Sequence, residues 1–272
     1  MNRQKRRTLS MTVTLLAAGL TGLGVQWTRN HLGDPSTLTG WTLLTSTAGL
    51  YLLSARKSST NSKLGRVSVW LQCHMYLGTF ASLIFLMHIG WPVRGIFELG
   101  LASCFVIVAA SGIVLAIMNR RTPMKLAAIA SDRRIDQIPT IRAAVARQAH
   151  ATALESAEFG EGATLAEHYQ QQLLPFFQSQ RSWLYRLFPN GVQRRRLLRE
   201  LNDLERYLAE PGNASRSALA NMVITKDDLD YQYALQTRLR WLYALHVSLT
   251  WSLVLMVAVH VVLVYRFQGA MR

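Results

Sequence analysis

The chain is poor in cysteine and in acidic residues. It has two cysteines among 272 residues, and 15 Asp+Glu against 30 Lys+Arg. Two cysteines cannot staple a small secreted domain. No C-x-x-C-H occurs, which excludes covalent c-type haem attachment, and no C-x-x-C cluster offers zinc or iron–sulfur ligation. Cys73 and Cys104 read as small apolar packing residues. Residues 120–240 hold no G-x-G-x-x-G or Walker-type glycine loop, so they give no sign of a flavin, nicotinamide or nucleotide site. The formal net charge of +15 would suit a nucleic-acid binder only if the basic residues were interleaved with the apolar ones. They are segregated instead.

Five windows carry no Asp, Glu, Lys or Arg: 8–28, 35–55, 67–93, 99–119 and 241–265. They are 21 to 27 residues long, and a bilayer core needs about 20 apolar residues per helix. The expected fold is therefore all-α, a polytopic membrane bundle of five transmembrane helices with a helical cytoplasmic insertion. Its parts are 1–119 (helices I–IV), 120–240 (the insertion) and 241–272 (helix V and a short outer tail). The segments between windows alternate in charge. Arg3, Lys5, Arg6 and Arg7, then Arg56, Lys57, Lys63 and Arg66, then the 18 basic residues of 120–240 put 26 of the 30 on one side. Lys and Arg near membrane helices stay in the cytoplasm. That places the N-terminus and 120–240 inside and the C-terminus outside, in a plasma or inner membrane. Met11–Val25 behind basic residues also resembles a signal peptide, but no clear A-x-A site follows and a retained helix is the favoured reading.

Four of the seven histidines lie in uncharged windows: His74 and His88 in the third, His246 and His260 in the fifth. Ionisable groups at membrane depth are costly and are usually occupied. Each pair is separated by 14 residues. Fourteen steps of about 100° end about 40° short of four full turns, so each pair shares a helix face with roughly 21 Å between members. The two helices run the same way across the membrane. His74 and His246 are then expected near the cytoplasmic side, and His88 and His260 near the outer side. Two imidazoles per level are half of what zinc or copper wants, but they fill both axial positions of a haem iron. The expected cofactors are two non-covalent b haems, with His74 and His246 on the inner iron and His88 and His260 on the outer. The competing reading makes the histidines interhelical hydrogen-bonders.

Arg66, Arg238 and Arg240 at the inner end, and Arg94 and Arg266 at the outer end, have two readings: pairing with haem propionates, or snorkelling to the interface. Gly19, Gly22, Gly24, Gly49, Gly78, Gly100 and Gly112 suit either a close macrocycle or close helix packing. Trp27, Trp41, Trp70, Trp91 and Trp241 sit where an aromatic belt is expected.

With four histidines on alternate helices, the chain resembles the di-haem membrane cytochromes b. It is similar both to the N-terminal four-helix part of respiratory cytochrome b and to the ferric-reductase-like transmembrane domain. The resemblance covers 35–119 and 241–265 and implies a four-helix haem-binding bundle and electron transfer across the membrane. The spacing of 14 in both helices fits the respiratory family, whose P-E-W-Y signature and later helices are absent. Histidines on the third and fifth helices fit the ferric-reductase-like group, whose sixth helix and flavin–nicotinamide domain are absent.

Residues 120–240 read as helical. Helices are expected over 139–158, 164–180 and 192–209, with Pro211-Gly212 as a stop and Thr225 with Asp228 as a capping box opening a helix into the last window. Arg194, Arg195, Arg196 and Arg199 beside Trp183, Leu184, Tyr185, Leu187 and Phe188 suit anionic lipid headgroups, a solvated face or an acidic partner. His31, His150 and His168 read as surface histidines, and Asn213-Ala214-Ser215 as a chance glycosylation match. The expected function is a membrane electron-transfer subunit whose redox chemistry its haems supply. It would pass electrons between a cytoplasmic or quinone partner and an acceptor on the opposite face. Its expected partners are membrane lipid and iron–sulfur, flavoprotein or multihaem cytochrome subunits, with no nucleic acid. The alternatives are a ferric- or quinone-reductase-like enzyme acting alone, and a non-haem scaffold or assembly protein.

Overall fold

Long runs without Gly-Pro breaks and with Leu, Ala, Val and Ile throughout favour helix, and a computed structural model shows an all-α chain. It describes residues 3–58, 66–90, 92–93, 95–127, 134–158 and 163–268, of which 3–7, 53–58 and 268 by backbone path alone. The chain forms two compact units, Met1–Ala116 with Leu245–Arg272, and Ile117–Ala244.

The first unit holds α1 (Arg3–Asn30), α2 (Pro35–Ser58), α3 (Val67–His88), most of α4 (Ile96–Ala127) and the end of α10 (Glu210–Gln268). Leu32 adopts the left-handed conformation (φ 56°) after α1, and Gly33 N–H donates to the Thr28 carbonyl at 2.9 Å. Asp34 then opens α2: its carboxylate accepts from the Ser36 amide at 2.9 Å and from the Ser36 hydroxyl, with Pro35 at the first helical position. The Ser36 hydroxyl, and after it the Ser36 amide, hold the Asp34 carboxyl below its usual range.

Among the described residues, four helices are long and apolar enough to cross a membrane: α1 from Thr8, α3, α4 and α10. α2 is long enough at 24 residues but is rich in Ser and Thr, and it is not one of the four. Four of its hydroxyls are satisfied within the helix. Thr39, Thr42, Ser46 and Thr47 each donate to the carbonyl four residues earlier, at 2.6–3.0 Å. The outer faces carry Leu16, Leu20, Leu23, Leu86, Ile113, Leu255 and Val262, all well exposed. An apolar surface this continuous suits lipid rather than water.

Contacts fix the helix directions. α2 pairs Gly40 with His88 and Gly49 with Leu77 of α3, so these two are antiparallel. It pairs Trp41 with Tyr265, and the Tyr51 hydroxyl donates to the Thr250 carbonyl at 3.0 Å, so α2 is also antiparallel to the end of α10. α4 sets Gly100 against Met256 and Ser111 against His246, again antiparallel. The two histidine-bearing helices therefore run parallel.

In the second unit, α5 (Ile138–Ala157) starts with Pro139 in its first turn. α6 (Ala163–His168) and α7 (Leu174–Gln178) are joined by a π-helical turn, Tyr169–Leu173, and α9 (Val192–Asp203) ends in a 3₁₀ turn, Leu204–Tyr207. Two expectations are corrected. Pro211-Gly212 opens α10 rather than stopping a helix, because a first turn needs no amide hydrogen from proline. Thr225 is no cap: it lies inside α10, and its hydroxyl donates to the Asn221 carbonyl at 2.9 Å.

Apolar side chains from α5, α6, α7, α9 and α10, among them Leu165, Phe176, Leu201 and Val223, form the core of this unit. Beside it lies an ionic hub. Asp230, with its side chain 0% exposed, meets Arg142 at 2.7 Å, Arg181 at 3.1 Å and Lys226 at 2.7 Å. Lys226 Nζ also donates to the Ser179 carbonyl at 3.2 Å and sits over the Phe176 ring. Arg181 pairs with Asp227 as well. Burial pushes the Lys226 ammonium down and the Asp227 carboxyl up from their usual ranges. The hub ties α5 and the 179–182 segment to α10. Asp230→Ala leaves Arg142 and Lys226 without a carboxylate and Arg181 with Asp227 alone, and should cost about 3–5 kcal/mol. Limited trypsin digestion of the detergent-purified chain checks this, with cleavage within 134–244 expected to accelerate strongly.

Candidate functional site

The histidine windows fold as α3 and the end of α10, and the structure brings His88 and His260 together. Their ring centroids are 6.5 Å apart and the ring planes are perpendicular. Two collinear metal–imidazole bonds of about 2 Å, plus about 1.1 Å from each nitrogen to its ring centre, need centroids about 6.2 Å apart. The observed separation is close to that figure. Among the described residues, no group of three or more His, Cys, Asp or Glu is placed to hold an ion.

The other histidines are held by neighbouring helices. His74 sets Nδ1 at 3.2 Å from the Leu50 carbonyl of α2. His246 sets Nδ1 at 2.9 Å from Ser111 Oγ of α4, and His88 sets Nδ1 at 2.9 Å from Thr39 Oγ1 of α2. A carbonyl only accepts, so the proton of His74 is on Nδ1. The Ser111 hydroxyl already donates to the Val108 carbonyl at 2.9 Å, and Thr39 to the Pro35 carbonyl at 3.0 Å. Each hydroxyl hydrogen is therefore spent on the backbone, and the oxygen accepts from imidazole. All three rings take the tautomer whose lone pair is on Nε2. A metal-binding histidine needs this arrangement: one nitrogen oriented by an acceptor, the other turned to the metal.

The glycine beside each hydroxyl makes room for the ring. A Cβ on Gly40 would lie 3.3 Å from His88 Cε1, and one on Gly112 would lie 3.2 Å from His246 Cε1. Thr39-Gly40 and Ser111-Gly112 are thus the same device used twice, a hydroxyl that accepts next to a backbone that an imidazole edge can approach. Sequence reading missed Thr39, Gly40, Ser111 and the Leu50 carbonyl. The Ser/Thr-Gly dipeptide was the available signal, but it occurs in three uncharged windows, and Thr21-Gly22 of the first faces Met87 rather than a histidine. Of the seven glycines singled out, only Gly112 meets a histidine. Gly22, Gly24, Gly49, Gly78 and Gly100 face Met87, Leu38, Leu77, Leu50 and Met256, which is helix packing, and nothing lies within 4 Å of a Cβ on Gly19.

The arginines divide differently. Arg66 flanks the start of α3 and is exposed, as is Arg266 in the last turn of α10. Arg240 lies 3.8 Å from Asp136, and Arg238 donates to the Leu187 carbonyl at 2.8 Å, so both have protein partners. Arg94 and Trp91 lie outside the described residues. Cys104 Sγ approaches the Leu249 carbonyl at 3.7 Å and joins α4 to α10. His31 Nδ1 is 2.8 Å from the Trp27 carbonyl at the end of α1. In the second unit, Arg194 pairs with Asp228 at 2.8 Å and Arg196 with Glu200 at 2.7 Å, while Arg195 and Arg199 are exposed. Burial lowers the His168 pKa.

No protein family, curated protein or solved structure matches the chain. The class the structure defines is an all-α protein with four long apolar candidate membrane helices, consistent with an integral membrane protein.

The glycine device is open to direct test. Gly112→Leu overlaps the His246 ring and should destabilise the first unit by about 1–3 kcal/mol. Gly19→Leu, with open space at its Cβ, should leave thermal unfolding in the same detergent unchanged.

Proposed function

We propose that the chain is a di-haem membrane cytochrome b subunit that carries electrons across the bilayer through two bis-histidine b haems. The observation that carries this reading is the His88–His260 pair, 6.5 Å between ring centroids, with the His88 Nδ1 hydrogen taken up by Thr39. His88 and His260 would hold the outer haem, and His74 and His246 the inner one, one level below on the same two parallel helices. Bound there, the haems would supply one-electron redox chemistry. The protein's own residues hold and insulate. Thr39, Ser111 and the Leu50 carbonyl orient the imidazoles, Gly40 and Gly112 admit their edges, and Phe85 stacked on Phe105 at 4.2 Å packs α3 against α4.

On this reading the chain crosses five times, with α2 as the fifth span. α2 is antiparallel to both histidine helices and has no polar hydroxyl in need of water over most of its length, which supports that assignment. The N-terminus and residues 120–240 then lie in the cytoplasm and the C-terminus outside, in line with 26 of 30 basic residues on one side. Electrons would come from, or go to, a quinone or a cytoplasmic partner subunit, with an acceptor or donor on the other face. Arg66 and Arg266 are the exposed cations placed at the two ends for propionates, and Arg94 shares the outer end by sequence.

A reduced-minus-oxidised visible spectrum and a pyridine haemochrome of the detergent-purified chain should show two non-covalent b haems per chain. His88→Leu should leave one. A colourless protein from haem-replete cells would overturn the reading. Removing the acceptor at one ring makes a finer test. An acceptor at Nδ1 raises ligand basicity and so favours the ferric state. Thr39→Val should therefore raise the midpoint potential of one haem by tens of millivolts in a redox titration and leave the other in place.

A further inference from the structure

The surface of the unit 117–244 carries an apolar face that electron transfer does not use. α8 (Trp183–Leu187) is a single short helix, opened by Ser182, whose hydroxyl accepts from the Tyr185 amide at 3.3 Å. Tyr185 points inward beneath Arg181, whose guanidinium lies 4.7 Å from its ring. The residues at i, i+1, i+4 and i+5 point outward: Trp183, Leu184, Leu187 and Phe188 are 67%, 54%, 41% and 74% exposed. Two aromatic and two leucine side chains on one face of five to six residues are more than scattered surface apolarity.

The height of this face along α10 is fixed by a hydrogen bond. Arg238 Nη1 donates to the carbonyl of Leu187 at 2.8 Å. Arg238 lies three residues, about 4.5 Å of helix rise, before Trp241, the first residue of the uncharged window 241–265. Trp241 is itself 72% exposed, and Arg240 beside it is exposed too. Arg186 lies over the Tyr233 ring, 5.8 Å from its centroid, about 12 Å of helix rise before Trp241. Indole and phenyl rings, leucines and guanidinium groups are thus gathered over about the last two turns before α10 becomes apolar. That combination belongs to the headgroup layer, where rings sit among the acyl boundary and guanidinium groups reach phosphates.

We propose that Trp183, Leu184, Leu187 and Phe188 insert in the plane of the cytoplasmic leaflet, with Arg186 and the exposed Arg240 on anionic lipid headgroups and Arg238 holding the Leu187 carbonyl, and pin this unit to the membrane surface. The proposal rests on the reading that 241–265 crosses the bilayer. The lipid is recognised by charge and by its apolar boundary, so the anchor should weaken as anionic lipid is withdrawn.

The test uses the full chain with Cys73→Ala and Cys104→Ser, reconstituted in nanodiscs of phosphatidylcholine with phosphatidylglycerol. Single nitroxide labels are placed by Leu184→Cys, Phe188→Cys, Arg147→Cys and Leu255→Cys. Residue 147 is exposed on α5, and residue 255 is exposed within the apolar part of α10. Labels at 184 and 188 should show several-fold higher accessibility to oxygen, and several-fold lower accessibility to an aqueous nickel chelate, than the label at 147. Phosphatidylcholine alone should narrow that difference. If 184 and 188 are as nickel-accessible as 147 while 255 remains in lipid, the anchor falls and the crossing stands. If 255 is nickel-accessible as well, both fall. Equal immersion in phosphatidylcholine alone overturns the headgroup role of the arginines.

Discussion

A neutral imidazole has one nitrogen that donates and one that accepts, and inside an apolar bundle neither role can be left to water. The structure solves this by spending the donor on a neighbouring helix. Leu50, Thr39 and Ser111 accept from the Nδ1 hydrogens of His74, His88 and His246. Each of these bonds does two things at once. It joins a histidine helix to α2 or α4, and it decides which nitrogen keeps the lone pair. Helix direction, glycine placement and the meeting of His88 with His260 all accommodate that choice.

α2 shows how a helix of middling polarity serves such a bundle. Its threonines and serines lower its apolar character, yet Thr39, Thr42, Ser46 and Thr47 return their hydroxyl hydrogens to their own backbone. Thr39 does this and still has an oxygen lone pair to offer His88. A valine there would pack as well and orient nothing. The same economy appears at Ser111, so α2 and α4 act as two struts, each carrying one Ser/Thr-Gly device for one histidine.

The unit 117–244 follows another physical rule. Its charges are not solvated one by one. Asp230 gathers Arg142, Arg181 and Lys226 in a buried hub beside an apolar core, and Arg194 and Arg196 find acidic partners. The basic run at 194–199, read from sequence as one patch, is therefore split between internal ion pairs and exposed side chains. The exposed apolar residues of α8 are what remain without an internal use, and the Arg238–Leu187 bond sets them near the start of the apolar part of α10.

Much was legible in the sequence. Windows without charge marked the long apolar helices, four of which among the described residues are long and apolar enough to cross a membrane, because length and side-chain polarity are local properties of a segment. The spacing of 14 between histidines placed both pairs on single faces, because helix periodicity is local as well. The α5 start at Pro139 and the helical character of 164–180 and 192–209 were readable for the same reason. What sequence could not supply lies across the chain. The acceptor for His88 is 49 residues away, and that for His246 is 135. Pro211-Gly212 reads equally as an end or a beginning until the following segment is seen to continue as helix. Composition and periodicity determined which segments are helices and which faces carry imidazoles. Only tertiary packing decided which nitrogen each ring presents and which two rings meet, because a hydrogen bond between helices depends on their approach and not on their spacing along the chain.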